Sequence, residues 1–187
     1  MVEESSTVRI QAPNGTDLSA KIAPWGMRYA TSIVKNRGDW AYLPAGTTGI
    51  GLVEESAEGT FVADGIIVDV GKMNSPVSFV IEKGRVVETN CSEKEQISII
   101  DNWLSKDEGA DSVVEVGIGF NPRATLISEP EGERVRGSVH IGTGDNIFFG
   151  GGIKSGSHLD IVILNSSLYS DDKILVRNGN IVDKLQS

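Results

Sequence analysis

The stretch Gly137–Leu164, GSVHIGTGDNIFFGGGIKSGSHLDIVIL, holds both histidines of the 187-residue chain, each where a glycine-rich segment meets an apolar run. Val139-His140-Ile141-Gly142 and Ser157-His158-Leu159-Asp160-Ile161-Val162-Ile163-Leu164 both read as strands entering a core. Strand side chains alternate faces, so His158 and Asp160 point one way while Leu159 and Ile161 point the other. An imidazole and a carboxylate are thereby presented side by side. With His140 they make the two-histidine, one-carboxylate set that binds a divalent metal and leaves coordination positions open. A buried His–Asp ion pair is the competing reading of the same residues. The glycines at 142, 144, 150, 151, 152 and 156 let the backbone turn sharply or pass close to a ligand or another segment.

Working outward, the rest of the chain supports a strand-and-turn architecture, with 22 glycines, 6 prolines and many short valine and isoleucine runs. Val8–Gln11 and Leu18–Ile22 alternate around Pro13-Asn14-Gly15-Thr16, a hairpin pattern. Trp25 to Asp39 mixes apolar and polar residues without a period, and Trp40–Leu43 reads as a short strand ahead of Pro44. Phe61-Val62 and Ile66–Val70 read as strands around Asp64-Gly65. Lys83-Gly84 and Asn178-Gly179 each sit between apolar runs as compact hairpin turns. One helix is expected from Ser92 to about Lys106: Ser92 and Glu95 form a capping box, and Ile97, Ile100, Trp103 and Leu104 recur at helical spacing. The expected fold class is α+β and strand-rich, with mixed or antiparallel sheets, several hairpins and about one substantial helix, in a single domain over residues 1–187.

Ser112–Phe120 is a strand with Glu115 in its middle. An ionised carboxylate in an apolar layer must be paired, metal-bound, protonated or turned to water, and the exposed face of an edge strand would satisfy it. A net charge of −9 without a basic run argues against a nucleic-acid surface. The lone cysteine, Cys91, rules out an internal disulfide and fits a reducing compartment. Neither a signal-peptide pattern nor an uninterrupted apolar run of membrane-spanning length is seen, so a soluble, cytoplasmic protein is expected. Gly142-Thr143-Gly144-Asp145 is no dinucleotide fingerprint, because the third glycine spacing fails and no helix pattern follows.

Seven pieces in order, Asn14–Leu18, Leu43–Gly46, Val53–Thr60, Gly84–Val87, Glu115–Pro122, Gly137–Gly142 and His158–Asp160, make the chain resemble the C-terminal part of the metallo-aminopeptidase family that contains aminopeptidases T and S. That superfamily is shared with iron-dependent 2,5-dihydroxypyridine dioxygenases. The resemblance implies metal ligands at Glu115, His140, His158 and Asp160, a divalent ion (zinc, cobalt, manganese or iron), a homodimer, and an N-terminal domain of which this sequence has no counterpart. Two positions depart from the peptidase pattern. Thr47 stands where those enzymes carry a metal-binding glutamate, and Ile147-Phe148-Phe149 occupies the region of an expected tyrosine.

Three functions follow as expectations. The first is a leucyl-type aminopeptidase, a hydrolase acting on small peptides through a metal-activated water with Glu115 as ligand or general base. The second is a mononuclear non-haem iron dioxygenase of the dihydroxypyridine type, for which two histidines and one carboxylate leave positions for substrate and oxygen. The third is a non-catalytic relative with a vestigial or structural metal.

Overall fold

The computed structural model describes residues 5–39, 41–127 and 129–182. In chain order the elements are β1 (Thr7–Gln11), β2 (Asp17–Ala30), β3 (Thr47–Leu52), β4 (Glu58–Ala63), β5 (Ile66–Ile67), β6 (Gly71–Lys72), β7 (Val77–Glu82), β8 (Arg85–Asn90), α1 (Lys94–Leu104), β9 (Val113–Gly119), α2 (Glu129–Gly132), β10 (Val139–Gly144), β11 (His158–Ile163), β12 (Ser167–Ser170), β13 (Lys173–Arg177) and β14 (Asn180–Ile181). Strand dominates, so α+β is only a rough description. Of the mixed or antiparallel sheets expected, the antiparallel arrangement is the one found: every ladder among the described strands is antiparallel, and the one parallel pairing is the isolated bridge Asn121–Val135.

The hairpins form where their turn residues stand. Asn14 accepts from Thr16 N–H at 3.1 Å and donates to Val62 O at 3.0 Å, and Gly15 takes φ +103°, a combination that closes β1 onto β2. Lys83 and Gly84, with φ of 47° and 72°, join β7 to β8, and Asn178 and Gly179, at 48° and 74°, join β13 to β14. The strand around Ile66–Val70 shortens to Ile66–Ile67, which pairs with β11 and β6 rather than with β4. Residues 41–46 hold no strand, and Trp40 lies outside the described residues. The expected Ser92 cap is also corrected. The helix starts one residue later, behind Glu93 and without a side-chain cap, and the Ser92 hydroxyl donates to Ser75 Oγ at 2.9 Å.

β2 runs on through the stretch without a period. Its first half pairs with β1 and β4 and its second half with β3, with a break in register between Ile22 and Met27 around Gly26, which takes φ +78°. One ladder therefore continues β2-β3-β9-β10-β11-β5-β6, and the other holds β1, β4, β7, β8, β12, β13 and β14. Alternation sorts the first ladder into two faces. Leu52, Val116, Ile118, Val139, Ile141, Leu159, Ile161 and Ile163 go to a common core with Ile10, Leu18, Phe61, Phe79 and Ile81 of the other ladder and Ile100 of α1. Full burial of each such side chain contributes about 1.5–3 kcal/mol. Glu115, His140, His158 and Asp160 are left on the opposite face. No described helix is long and apolar enough to cross a membrane.

Candidate metal centre

Glu115 lies on a central strand whose seven residues are all buried, so the edge-strand reading is overturned. Across the ladders Gly51, Glu115, Gly142 and Asp160 are successive cross-strand neighbours, and Gly49, Gly117, His140 and Val162 form the next row. Gly144 pairs with His158. Between the carboxylates stands a residue with no side chain. A Cβ on Gly142 would lie 2.9 Å from Glu115 Cβ and 3.2 Å from His158 Cε1, so the glycine leaves the space in which those side chains meet. Gly49 and Gly117 do the same for their neighbours: a Cβ would fall 1.8 Å from Glu115 Oε1 and 2.1 Å from His140 Nε2, respectively.

The four residues singled out in the sequence converge. His158 Nε2 is 3.2 Å from Glu115 Oε2 and 3.6 Å from Asp160 Oδ1, and His140 Nε2 is 3.7 Å from Glu115 Oε1. A fifth residue was missed. Glu133 Oε2 lies 3.9 Å from His140 Nε2, while its Oε1 accepts from Arg134 at 2.5 Å. It arrives from the end of α2, where no strand alternation announces it. The signal was the acidic Glu131-Gly132-Glu133 just upstream of the histidine strand: a Cβ on Gly132 would meet Ile66 Cγ2 at 1.9 Å, so only glycine lets this turn close on β5, the neighbour of β11.

The loop from Gly144 to His158 holds the second imidazole. Asp145 O accepts from His158 Nδ1 at 2.9 Å, which fixes a proton on Nδ1 and turns Nε2 towards the carboxylates. Buried Asn146 braces the loop, accepting from Ile153 N–H at 2.7 Å and donating to Glu54 Oε1 at 2.9 Å; Glu54 also accepts from Gly152 N–H at 2.7 Å. The Asn146 and Gly152 bonds hold the Glu54 carboxyl below its ordinary value of 4.5. A group whose folded pKa is lowered stabilises the fold above its unfolded pKa and loses that contribution as pH falls through the folded value. Glu54→Gln is therefore expected to lower Tm at pH 7 by the equivalent of about 1 kcal/mol, with the gap to wild type narrowing as melts are repeated below pH 4.5.

Electrostatics ties the centre together. Burial pulls His158 down, but Asp160 and Glu115 beside it outweigh that and raise the ring to about 11. His140 is likewise pulled down by burial, then raised to about 9 by Glu115, Asp160 and Glu133. Burial and the charge of Asp160 push Glu133 up to about 7. Burial also raises Asp160, but His158 and His140 prevail and hold it well below the usual carboxylate range. Two groups here can hold a divalent metal ion, Glu115–His158–Asp160 and Glu133–His140–Asp160, each with ligand atoms within 4.8 Å of one another. The donor set fits such an ion. Asp160 Oδ1 is buried without a hydrogen-bond partner, His158 aims Nε2 at the carboxylates with Nδ1 tied to Asp145 O, and imidazole with carboxylate suits iron, manganese, cobalt or zinc.

A family model described as 2,5-dihydroxypyridine 5,6-dioxygenase matches residues 1–183. The chain belongs to the 2,5-dihydroxypyridine 5,6-dioxygenase family. The 2,5-dihydroxypyridine 5,6-dioxygenase of Pseudomonas putida is 24% identical over 201 residues, spanning 97% of this chain and 56% of that protein. The solved structure of the Pseudomonas putida dioxygenase superposes with a TM-score of 0.84 at 25% identity, covering 98% of this chain and 56% of the other. Wild-type AmpT from Thermus thermophilus, an aminopeptidase T, gives a TM-score of 0.72 at 22% identity over 95% and 50% of the two chains, a likeness of fold. This chain thus spans about half the length of the relatives it matches. The dioxygenase family assignment overturns the expectation of a peptide-cleaving aminopeptidase, and with it the hydrolase class and the peptide substrate. The position that departs from the peptidase pattern agrees: Thr47 brings no carboxylate, and its hydroxyl is bonded to Ile118 O at 3.3 Å.

Proposed function

We propose that this chain carries the metal-binding part of a ring-cleaving dioxygenase whose substrate is a small dihydroxylated nitrogen heteroaromatic of the 2,5-dihydroxypyridine class. The observation that carries the reading is the convergence of His158, Asp160 and Glu115, with His140 and Glu133 beside them, in a chain matched along nearly its whole length by the dioxygenase family. These five side chains would hold the ion, with Asp160 common to both groups. Ferrous iron supplies the redox chemistry by which dioxygen reacts with an aromatic ring.

The chain's own residues set the conditions for that chemistry. Asp145 O keeps the His158 ring oriented and its proton on Nδ1. Arg134 holds one oxygen of Glu133, so that the other faces His140. The glycine rows give the Glu115 carboxylate and the His140 ring their places against β3 and β9. A 5,6-dioxygenase opens the ring between carbons 5 and 6 and places both atoms of one dioxygen molecule in the product. The test is to load the protein anaerobically with Fe(II), add 2,5-dihydroxypyridine and admit ¹⁸O₂. Uptake of one dioxygen per ring, with both labelled atoms in a ring-opened product by mass spectrometry, is expected. Absence of substrate-dependent oxygen uptake refutes the reading.

A further inference from the structure

Helix α1 ends beside the loop that carries His158. Its last turn is anchored from within, since Ile100 and Leu104 are buried and Trp103 packs against the same core. Lys106 and Asp107, just beyond that end, reach across to Ser155 and Gly156. Asp107 Oδ1 accepts from the Ser155 hydroxyl at 2.7 Å and from Gly109 N–H at 3.1 Å, and its Oδ2 accepts from Gly156 N–H at 2.7 Å. Lys106 Nζ donates to Gly156 O at 2.6 Å while lying over the Trp103 ring, 4.6 Å from its centroid. Gly156 is therefore gripped by its N–H and by its C=O. The close approach depends on Gly109, where a Cβ would stand 2.9 Å from Ile153 Cγ2 and 3.1 Å from Lys154 O.

From Gly156 the hold passes to the imidazole within two residues. Ser157 N–H donates to Ser155 Oγ at 3.0 Å, and Ser157 O accepts from Asp145 N–H at 2.8 Å. The Asp145 carboxylate accepts in turn from Ser155 N–H at 3.2 Å, and Asp145 O accepts from His158 Nδ1. The two ends of the loop are thus locked to each other and to α1. The two imidazoles differ in what fixes them. His140, with a side chain 1% exposed, is wedged over Gly117 by packing, whereas the His158 side chain is 34% exposed and takes its direction from its bonds. To share an ion with Glu115 and Asp160, its Nε2 has to stay near their oxygens, which lie at 3.2 and 3.6 Å.

We infer that Lys106 and Asp107 are positioning residues for His158, an assignment that rests on the metal centre of the reading above: by gripping Gly156 they set the start of β11 and Asp145 O so that His158 Nε2 points at Glu115 and Asp160. Neither residue belongs to the candidate ligand groups. A carboxylate suits the task because its lone pairs serve three donors at once, and such charge-assisted bonds are the shorter and stronger kind. Lys106 supplies the matching donor for the carbonyl. Their influence falls on the orientation of one ligand, and losing a group that orients a ligand costs roughly 10- to 100-fold in metal affinity.

The chain has two histidines, so a ¹⁵N-histidine-labelled sample shows two rings by NMR, with His140 as the internal reference. In metal-free protein Asp107→Ala is expected to shift the His158 ring resonances and to speed exchange of its Nδ1 proton with water, leaving His140 in place. Zn(II) affinity, measured by competition with a chromogenic chelator, is expected to fall roughly 10- to 100-fold. Asp107→Asn, which keeps one acceptor oxygen, and Lys106→Met are expected to lie between that variant and wild type. Asp171→Ala is the control: this carboxylate accepts from Ser6 N–H, Thr7 N–H and the Thr7 hydroxyl on the other ladder, and its loss is expected to leave both rings and Zn(II) affinity unchanged. If Asp107→Ala and Asp107→Asn keep the wild-type His158 signals, or Asp171→Ala weakens Zn(II) equally, the positioning role is overturned whatever Tm does, and the dioxygenase reading stands. If wild type takes up neither Zn(II) nor Fe(II), the metal centre falls and this role with it.

Discussion

Asp160→Asn is expected to abolish tight binding of a divalent ion. Asp160 is the single residue common to both candidate ligand groups, and its Oδ1 is buried without a hydrogen-bond partner. The amide keeps the shape but removes the charge and half of the acceptor capacity. Loss of a residue that merely orients a ligand costs 10- to 100-fold in metal affinity, and loss of a direct ligand shared by both groups is expected to exceed that. A ligand bound only by the folded state adds about 2.7 kcal/mol of stability at 100 times its Kd. Wild-type Tm should therefore climb as Fe(II), Mn(II) or Zn(II) is titrated in, whereas that of Asp160→Asn should stay flat with no ion retained after desalting. A variant that keeps the wild-type rise would mean the ion binds elsewhere.

Gly117→Ala is expected to carry a large cost to the fold. The new Cβ would lie 2.1 Å from His140 Nε2 and 2.5 Å from Thr48 O. His140 is 1% exposed and has nowhere to swing, and the carbonyl is fixed in the backbone of β3, the strand paired with β9. Overpacking of this kind costs about 1–3 kcal/mol and occasionally more. Taking about 3 kcal/mol, Tm should drop by roughly 6–12 °C for a chain of this size. Gly152→Ala is the control: its Cβ would meet only Glu54 oxygens at 3.6 and 3.9 Å, and Tm should move by no more than the ordinary scatter of surface changes. Similar melts for the two variants would show that the crowded floor of the site can relax.

Local chemistry made much of the fold legible. Turns such as Asn14-Gly15, Lys83-Gly84 and Asn178-Gly179 declare themselves because the residues that accept positive φ are the residues of the turn. The side-by-side placement of His158 and Asp160 was legible for a similar reason, since alternation along one strand needs no partner. Sheet order was not. Nothing in Ser112–Phe120 says whether the strand is central or at an edge, and the fate of Glu115 turned on that. Glu133 was hidden because it enters from a helix end and meets His140 only through tertiary packing around Gly132. The choice between peptidase and dioxygenase lay beyond the shared histidines and acids. It rested on the family match over residues 1–183, with which the missing carboxylate at Thr47, already visible in the sequence, agrees.

The passage of β2 from one ladder to the other ties the two layers together. Because Asp17–Ala30 is a single length of backbone stitched to β1 and β4 at one end and β3 at the other, the two layers cannot gape apart like a clam shell without unzipping a strand. The centre lies on the outward face of its layer, so solvent meets it from outside and not from between the layers, at His158, whose side chain is 34% exposed against 1% for His140.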